Sequence, residues 1–164
     1  MKTKHFYPIL FALLLSSFVS RAQDTGMYLY YPGVTSGAGT GAHVNESVVL
    51  AFSYGFSNSG TGTSPGTTNF QDFSLTKYND LATGLLQTAL VAETNTDGVE
   101  IRIYKLGTLI QTYKLQGSRV TSFSSGGSGG ELTSGCSTCT GLTENVTINF
   151  SGIQIGTFSN NFQP

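Results

Sequence analysis

The sequence predicts a mainly β fold, a small two-sheet β-barrel or sandwich with one flanking α-helix. Apolar and polar residues alternate along several segments, as half-buried strands require. Stretches rich in Gly, Ser and Thr separate those segments. Past the leader, one segment repeats its apolar residues at helical spacing: Leu81, Leu85, Ala89 and Ala92, widened by Leu86 and Leu90. A single helix among strands must lie against the β structure and cover part of its apolar surface.

Residues 1–22 stand apart from that domain. Lys2 and Lys4 make a positive start, Ile9–Val19 is almost wholly apolar, and Ser20-Arg21-Ala22 places small residues at both cleavage-determining positions. The pattern is that of a secretory signal peptide cut before Gln23, leaving residues 23–164 as one domain. The apolar run is short for a membrane span. The whole chain carries 8 Lys+Arg and 9 Asp+Glu, a net charge of −1. Lys2, Lys4 and Arg21 leave with the leader, so five cations face nine acids and the net charge becomes −4. That balance has no basic footprint for nucleic acid or an anionic membrane. Only 10% of residues are charged, which leaves a surface of Ser, Thr, Gly, Asn and Gln.

The elements follow in order. Gly26–Tyr31 is a first strand ended by Pro32-Gly33, and Val34–Ala42 is a Gly/Ser/Thr loop. Ser47–Phe56 is a second strand; its continuous apolar start predicts burial on both faces, and Gly55 predicts a bulge. Ser57–Thr68 is a low-complexity loop. A strand containing Phe73 and Leu75 runs into the helix, whose first turn Asp80 or Thr83 can cap. Val99–Lys105 and Leu109–Leu115 form a hairpin about Leu106-Gly107-Thr108. Gly117–Ser125 is a further strand, and Glu144–Phe158 is the last, with its phase interrupted at Gly152. Six or seven strands result.

Few residues invite chemistry. Cys136-Ser-Thr-Cys139 reads first as an intrachain disulfide within a loop, since an exported chain meets an oxidising compartment. Intermolecular or free thiols are the alternative; a redox pair lacks a helix N-terminus, and zinc lacks ligands. Gly126–Gly130 lacks the Lys-Ser/Thr of a phosphate loop. His43 has no nucleophile or carboxylate pair around it and reads as a solvated loop histidine. Asp72, inside a strand, reads as a hydrogen-bonding or interface residue. No catalytic residue, metal ligand or cofactor is expected. Tyr28, Tyr30 and Tyr31 read as core or subunit-interface aromatics rather than a sugar-binding strip.

Five segments in order resemble one family. M-Y-L-Y-Y-P-G-V (Met27–Val34), V-V-L-A-F-S-Y-G (Val48–Gly55), F-Q-D-F-S-L-T-K-Y (Phe70–Tyr78), Ser118–Phe123 followed by G-G-S-G-G-E (Gly126–Glu131), and E-N-V-T-I-N-F-S-G-I-Q (Glu144–Gln154) are similar to the Hcp proteins, ring-forming tube subunits of type VI secretion. The resemblance implies a β-barrel of two sheets with a flanking helix, assembly with copies of itself into hexameric rings that stack into tubes, and no catalytic residues. Residues expected at those contacts are Tyr30, Tyr31, Val34, Gly37, Gly39, His43, Asp72, Gly127 and Gly129. Secreted effector cargo in the lumen is a further expected partner. Family subunits ordinarily lack a signal peptide. The leader, with the insertion around Cys136–Cys139, points to an exported relative forming a filament or tube in the periplasm, at the cell surface or outside the cell. A second reading is an exported β-sandwich binding module or effector for a carbohydrate or a surface ligand; it predicts a monomer.

Overall fold

Residues that alternate inward and outward set the strands. In β3 (Thr68–Tyr78), Phe73, Leu75 and Lys77 fall on the buried face, and in β7 (Thr143–Asn149) Glu144, Val146 and Ile148 do the same. The computed structural model describes residues 25–34, 41–64, 66–126 and 142–157. The other strands are β1 (Gly26–Tyr30), β2 (Glu46–Asn58), β4 (Val99–Lys105), β5 (Thr108–Gln116), β6 (Arg119–Gly126) and β8 (Gly152–Thr157). Helix α1 spans Thr83–Val91, and a 3-10 turn at Gly41–His43 leads into β2.

All eight strands belong to one antiparallel sheet in the order β6-β7-β3-β2-β1-β4-β5-β8. Strands β3 and β5 stand four steps apart in that order, about 19 Å in a flat sheet at roughly 4.8 Å per step. Yet the rings of Phe73 on β3 and Tyr113 on β5 lie 6.1 Å apart. The sheet therefore folds over itself into two layers, and the register of β2 against β3 is broken twice on the way, between Val49 and Ala51 and between Ser53 and Gly55. The apolar core lies between the layers: Leu29, Phe73, Leu75, Val99, Ile101, Leu115, Val120, Val146 and Ile148, with Leu86 and Ala89 of α1. The fold is the expected one, mainly β with a flanking helix. Its two layers share one continuous ladder, and among the described residues β6 and β8, each with a single partner, are its edges.

A bent ribbon joins the ends of the ladder. Only Gly117 and Ser118 separate β5 from β6, and only Phe150 and Ser151 separate β7 from β8. The pairs β5–β8 and β6–β7 are thus one long ribbon kinked at its middle, where Ser151 N donates to Gln116 O at 3.0 Å. Gly117 makes the kink possible. Its φ is +53°, and a Cβ there would stand 2.5 Å from Ser151 Oγ. Gly117→Ala is expected to lower stability by about 1–2 kcal/mol for the left-handed backbone alone, plus the clash. A chemical denaturation midpoint measures the total, and Ser151→Ala in the same background should recover the clash component.

Several elements differ from the sequence expectation. Eight strands form among the described residues, because the phase break at Gly152 is a true end and start. β2 is not buried on both faces: Ser47 and Val49 point inward, while Leu50 is exposed on the other side. The segment Ser57–Thr68 is partly strand, since β2 and β3 continue to Asn58 and Thr68. Leu81 precedes the helix and is 72% exposed, so the buried stripe is Leu86 and Ala89. The helix N-cap is Ala82, without a side-chain cap; Asp80 Oδ1 instead accepts from Ala82 N at 2.9 Å. The hairpin turn is Leu106-Gly107, both with positive φ (53° and 75°), the geometry of a tight I′ turn.

Candidate functional site

Three features outside the plain apolar core merit description. The first is a buried ionic cluster where β3, α1 and β7 meet. Lys77 Nζ donates to Glu144 Oε1 at 2.5 Å, Tyr78 O at 2.7 Å and Asp80 Oδ1 at 2.9 Å. Thr83 Oγ1 donates to Glu144 and accepts from Asp80 N. The three charged side chains have no solvent exposure. All three ammonium protons are used, which makes this a structural tie and not a nucleophile. Sequence reasoning names Asp80 and Glu144 only among acids scattered over different elements, two of which could meet as an acid/base pair, and it passes over Lys77, which holds these two together. The available signal was a charged residue on the inward alternation of two strands.

The second lies on the outer face of β1, β2 and β4. His43 is buried, stacked on Tyr28 at 3.9 Å with Tyr104 edge-on at 4.6 Å, and its Nδ1 bonds Glu46. It is not a solvated loop residue, because the 3-10 turn lays it flat on the sheet. Glu46 also accepts from Arg102, which donates to Glu100 at 2.7 and 2.8 Å and lies 4.5 Å over the Tyr30 ring. Burial opposes the Arg102 charge, but the hydrogen bonds and charges of Glu100 and Glu46 win and raise its pKa beyond the ordinary guanidinium value. The charges of this relay are mutually paired, and nothing in it resembles a nucleophile–base arrangement.

The third is a projecting arm. β1 pairs with β2 only over Glu46–Val49, and β7 pairs with β3 only over Phe73–Tyr78. Among the described residues Ser53–Asn58 of β2 therefore has β3 as its one partner, and Thr68–Gln71 of β3 has only β2. Phe56 and Phe70 face each other across the arm and are 60% and 39% exposed. From Ser53 to Gln71 there is no charged residue.

The interface candidates are dispersed. Tyr30 and His43 share the relay face. Tyr31 sits in the core with its hydroxyl 3.0 Å from Thr96 Oγ1, Val34 packs against the core, and Asp72 accepts from Asn149 at 2.8 Å and Thr121 at 3.1 Å on the opposite outer face. Gly37, Gly39, Gly127, Gly129, Cys136 and Cys139 lie outside the described residues. Among the described residues no cluster of three His, Cys, Asp or Glu is placed to hold a metal ion, and no helix is long and apolar enough to cross a membrane.

Between the layers, Tyr113 meets Tyr54 at 5.1 Å. Burial first, then the charge and hydrogen bond of Tyr54, raise the Tyr113 pKa above its ordinary 10.0. The folded protein thus holds this proton more tightly than the unfolded chain does. The associated stability is full below about pH 10 and is lost as pH rises through the raised value. Tyr113→Phe is expected to flatten the alkaline fall of the denaturation midpoint; an unchanged slope would remove Tyr113 as its source.

A single antiparallel sheet folded into two layers, with one helix against it, accords with the comparisons. The family model described as "Type VI secretion system effector, Hcp" matches residues 28–156. The chain belongs to the Hcp family. Among solved structures, a protein described as a type six secretion system protein superposes with a TM-score of 0.67 at 21% identity, covering 80% of this chain and 83% of the other. Hcp1 from Salmonella typhimurium gives a TM-score of 0.67 at 18% identity, with 80% and 85% covered. Hcp1 from Flavobacterium johnsoniae gives 0.57 at 14%, with 80% and 95% covered. At these identities the likenesses speak for a shared Hcp fold. No curated protein matches the chain.

Proposed function

We propose that this Hcp-family chain is a non-catalytic tube subunit of type VI secretion type, whose copies close into hexameric rings that stack. The observation that carries this reading is the family match, which runs from within β1 to within β8 and so takes in the whole sheet. A surface with few charges supports it, because such a surface meets copies of itself without desolvating ions. A heterologous contact, with one patch meeting a different patch on the next copy, closes a ring if the rotation closes. Tyr30, Tyr31, Val34, His43, Asp72 and the glycines at 37, 39, 127 and 129 are the proposed contact positions. Residues 1–22 act as a cleaved leader, so assembly takes place outside the cytoplasm, where Cys136 and Cys139 pair; secreted effector cargo is the proposed occupant of the lumen.

Electron microscopy with sedimentation of residues 23–164 tests assembly: rings or tubes are expected, and a monomer at high concentration overturns the reading. Mass analysis of the N-terminus of exported protein tests the leader. Gln23 at the start is expected, and an intact Met1 on cytoplasmic protein refutes export.

A further inference from the structure

We propose that the trough across the outer face of β4, β5 and β8 is a binding site for one unit of a neutral saccharide. The site is built within one copy and does not depend on assembly. Cross-strand register makes the hollow. Arg102, Thr112 and Gly156 stand in one row across the three strands, and Glu100, Lys114 and Gln154 stand in the next. On the other side of the first row, Tyr104 pairs with Leu109. Thr112 is short and Gly156 has no side chain, so the middle row lies low between two rows of larger groups. The resulting groove holds ≈ 480 Å³, inside the range of about 300–1,000 Å³ for small-molecule sites, and it opens at the β8 edge.

The chemistry of the trough fits hydroxyl groups. The cations of Arg102 and Lys114 are matched by the carboxylates of Glu100 and Glu46, so a charged ligand gains no net attraction there. A sugar hydroxyl donates and accepts at once, and it can bridge a carboxylate to an ammonium as a water does. Tyr104 and Leu109 form an apolar wall on which the C–H face of a sugar ring packs. The walls are set before a ligand arrives. Arg102 is held by Glu46, Glu100 and the Tyr30 ring, and Tyr104 by edge-on contacts with Tyr28 at 5.7 Å and His43 at 4.6 Å. Binding therefore avoids the entropy cost of ordering them. Among the described residues Thr112 Oγ1 has no hydrogen-bond partner although it is buried. An unpaired polar atom is destabilising until a group satisfies it. The neighbouring Lys114 ammonium is loosely held, half-exposed and 3.5 Å from Glu100, so it can yield to a ligand hydroxyl that reaches Thr112.

Isothermal titration calorimetry of the purified protein with cellobiose, maltose and diacetylchitobiose tests the site, with sodium succinate as the charged comparison. At least one disaccharide should give saturable heat, and succinate should give none. Gly156→Leu fills the trough at its open end and should abolish that heat. Thr112→Val keeps the side-chain shape, removes the hydroxyl and should weaken binding about three- to tenfold, the worth of one net hydrogen bond. Thermal midpoints of both variants should match or exceed that of the parent, because a strand glycine and a buried unpaired hydroxyl are the groups removed. No heat from any of the three sugars, heat from succinate as large as theirs, or sugar binding unchanged in either variant overturns the site. None of these outcomes bears on ring assembly, which sedimentation reports separately.

Discussion

Lys77→Met is expected to lower the unfolding free energy by about 3–5 kcal/mol, because it leaves two buried carboxylates without their cation. Asp80 and Glu144 both accept from Lys77 Nζ, and the side chains of all three are shut off from water. Asp80 Oδ2 already has no partner. Removing the ammonium strands the like charges together, and Thr83 donates its one hydroxyl proton to Glu144 alone. Urea denaturation followed by circular dichroism measures the loss. The triple replacement Lys77→Met, Asp80→Asn, Glu144→Met should recover most of it, since an apolar substitute for a buried ion pair is often neutral or stabilising. Recovery would show that the cluster's role is self-cancelling charge; no recovery would show that its geometry holds α1 in place.

That cluster marks where sequence reasoning was strong and where it stopped. The strands are legible because alternation is a local property: Phe73 and Leu75 point inward whatever their partners are. Gly152 was legible as a phase break, because an interrupted period shows in one strand alone. Folding of the sheet into two layers was not, since it depends on contact between strands with three others between them in the ladder and on Gly117, an ordinary glycine until Ser151 stands beside it. Leu81 misled because helical spacing continues one turn before the helix begins, and only packing decides which turn is used. His43 misled because a Gly-rich loop looks solvated, while the stack on Tyr28 is a tertiary contact. For the candidate contacts, composition marked an uncharged surface, but the arm exists only because β1 and β7 stop short of the ends of β2 and β3.

Phe73→Ala should cost about 3–5 kcal/mol, the range for removing a wholly buried aromatic. Phe73 is fully buried, with Phe52 at 5.3 Å and Tyr54 at 5.4 Å nearly parallel to it. Part of the cost is lost transfer energy and part is the cavity that these rings cannot collapse to fill. Phe73 is also the first residue of β3 to pair with β7, so it sits where the arm leaves the sandwich. Loosening that point should free the arm before the rest of the sheet. Hydrogen exchange would then rise first in Ser53–Asn58 and Thr68–Gln71, at denaturant concentrations where β4 and β5 remain protected.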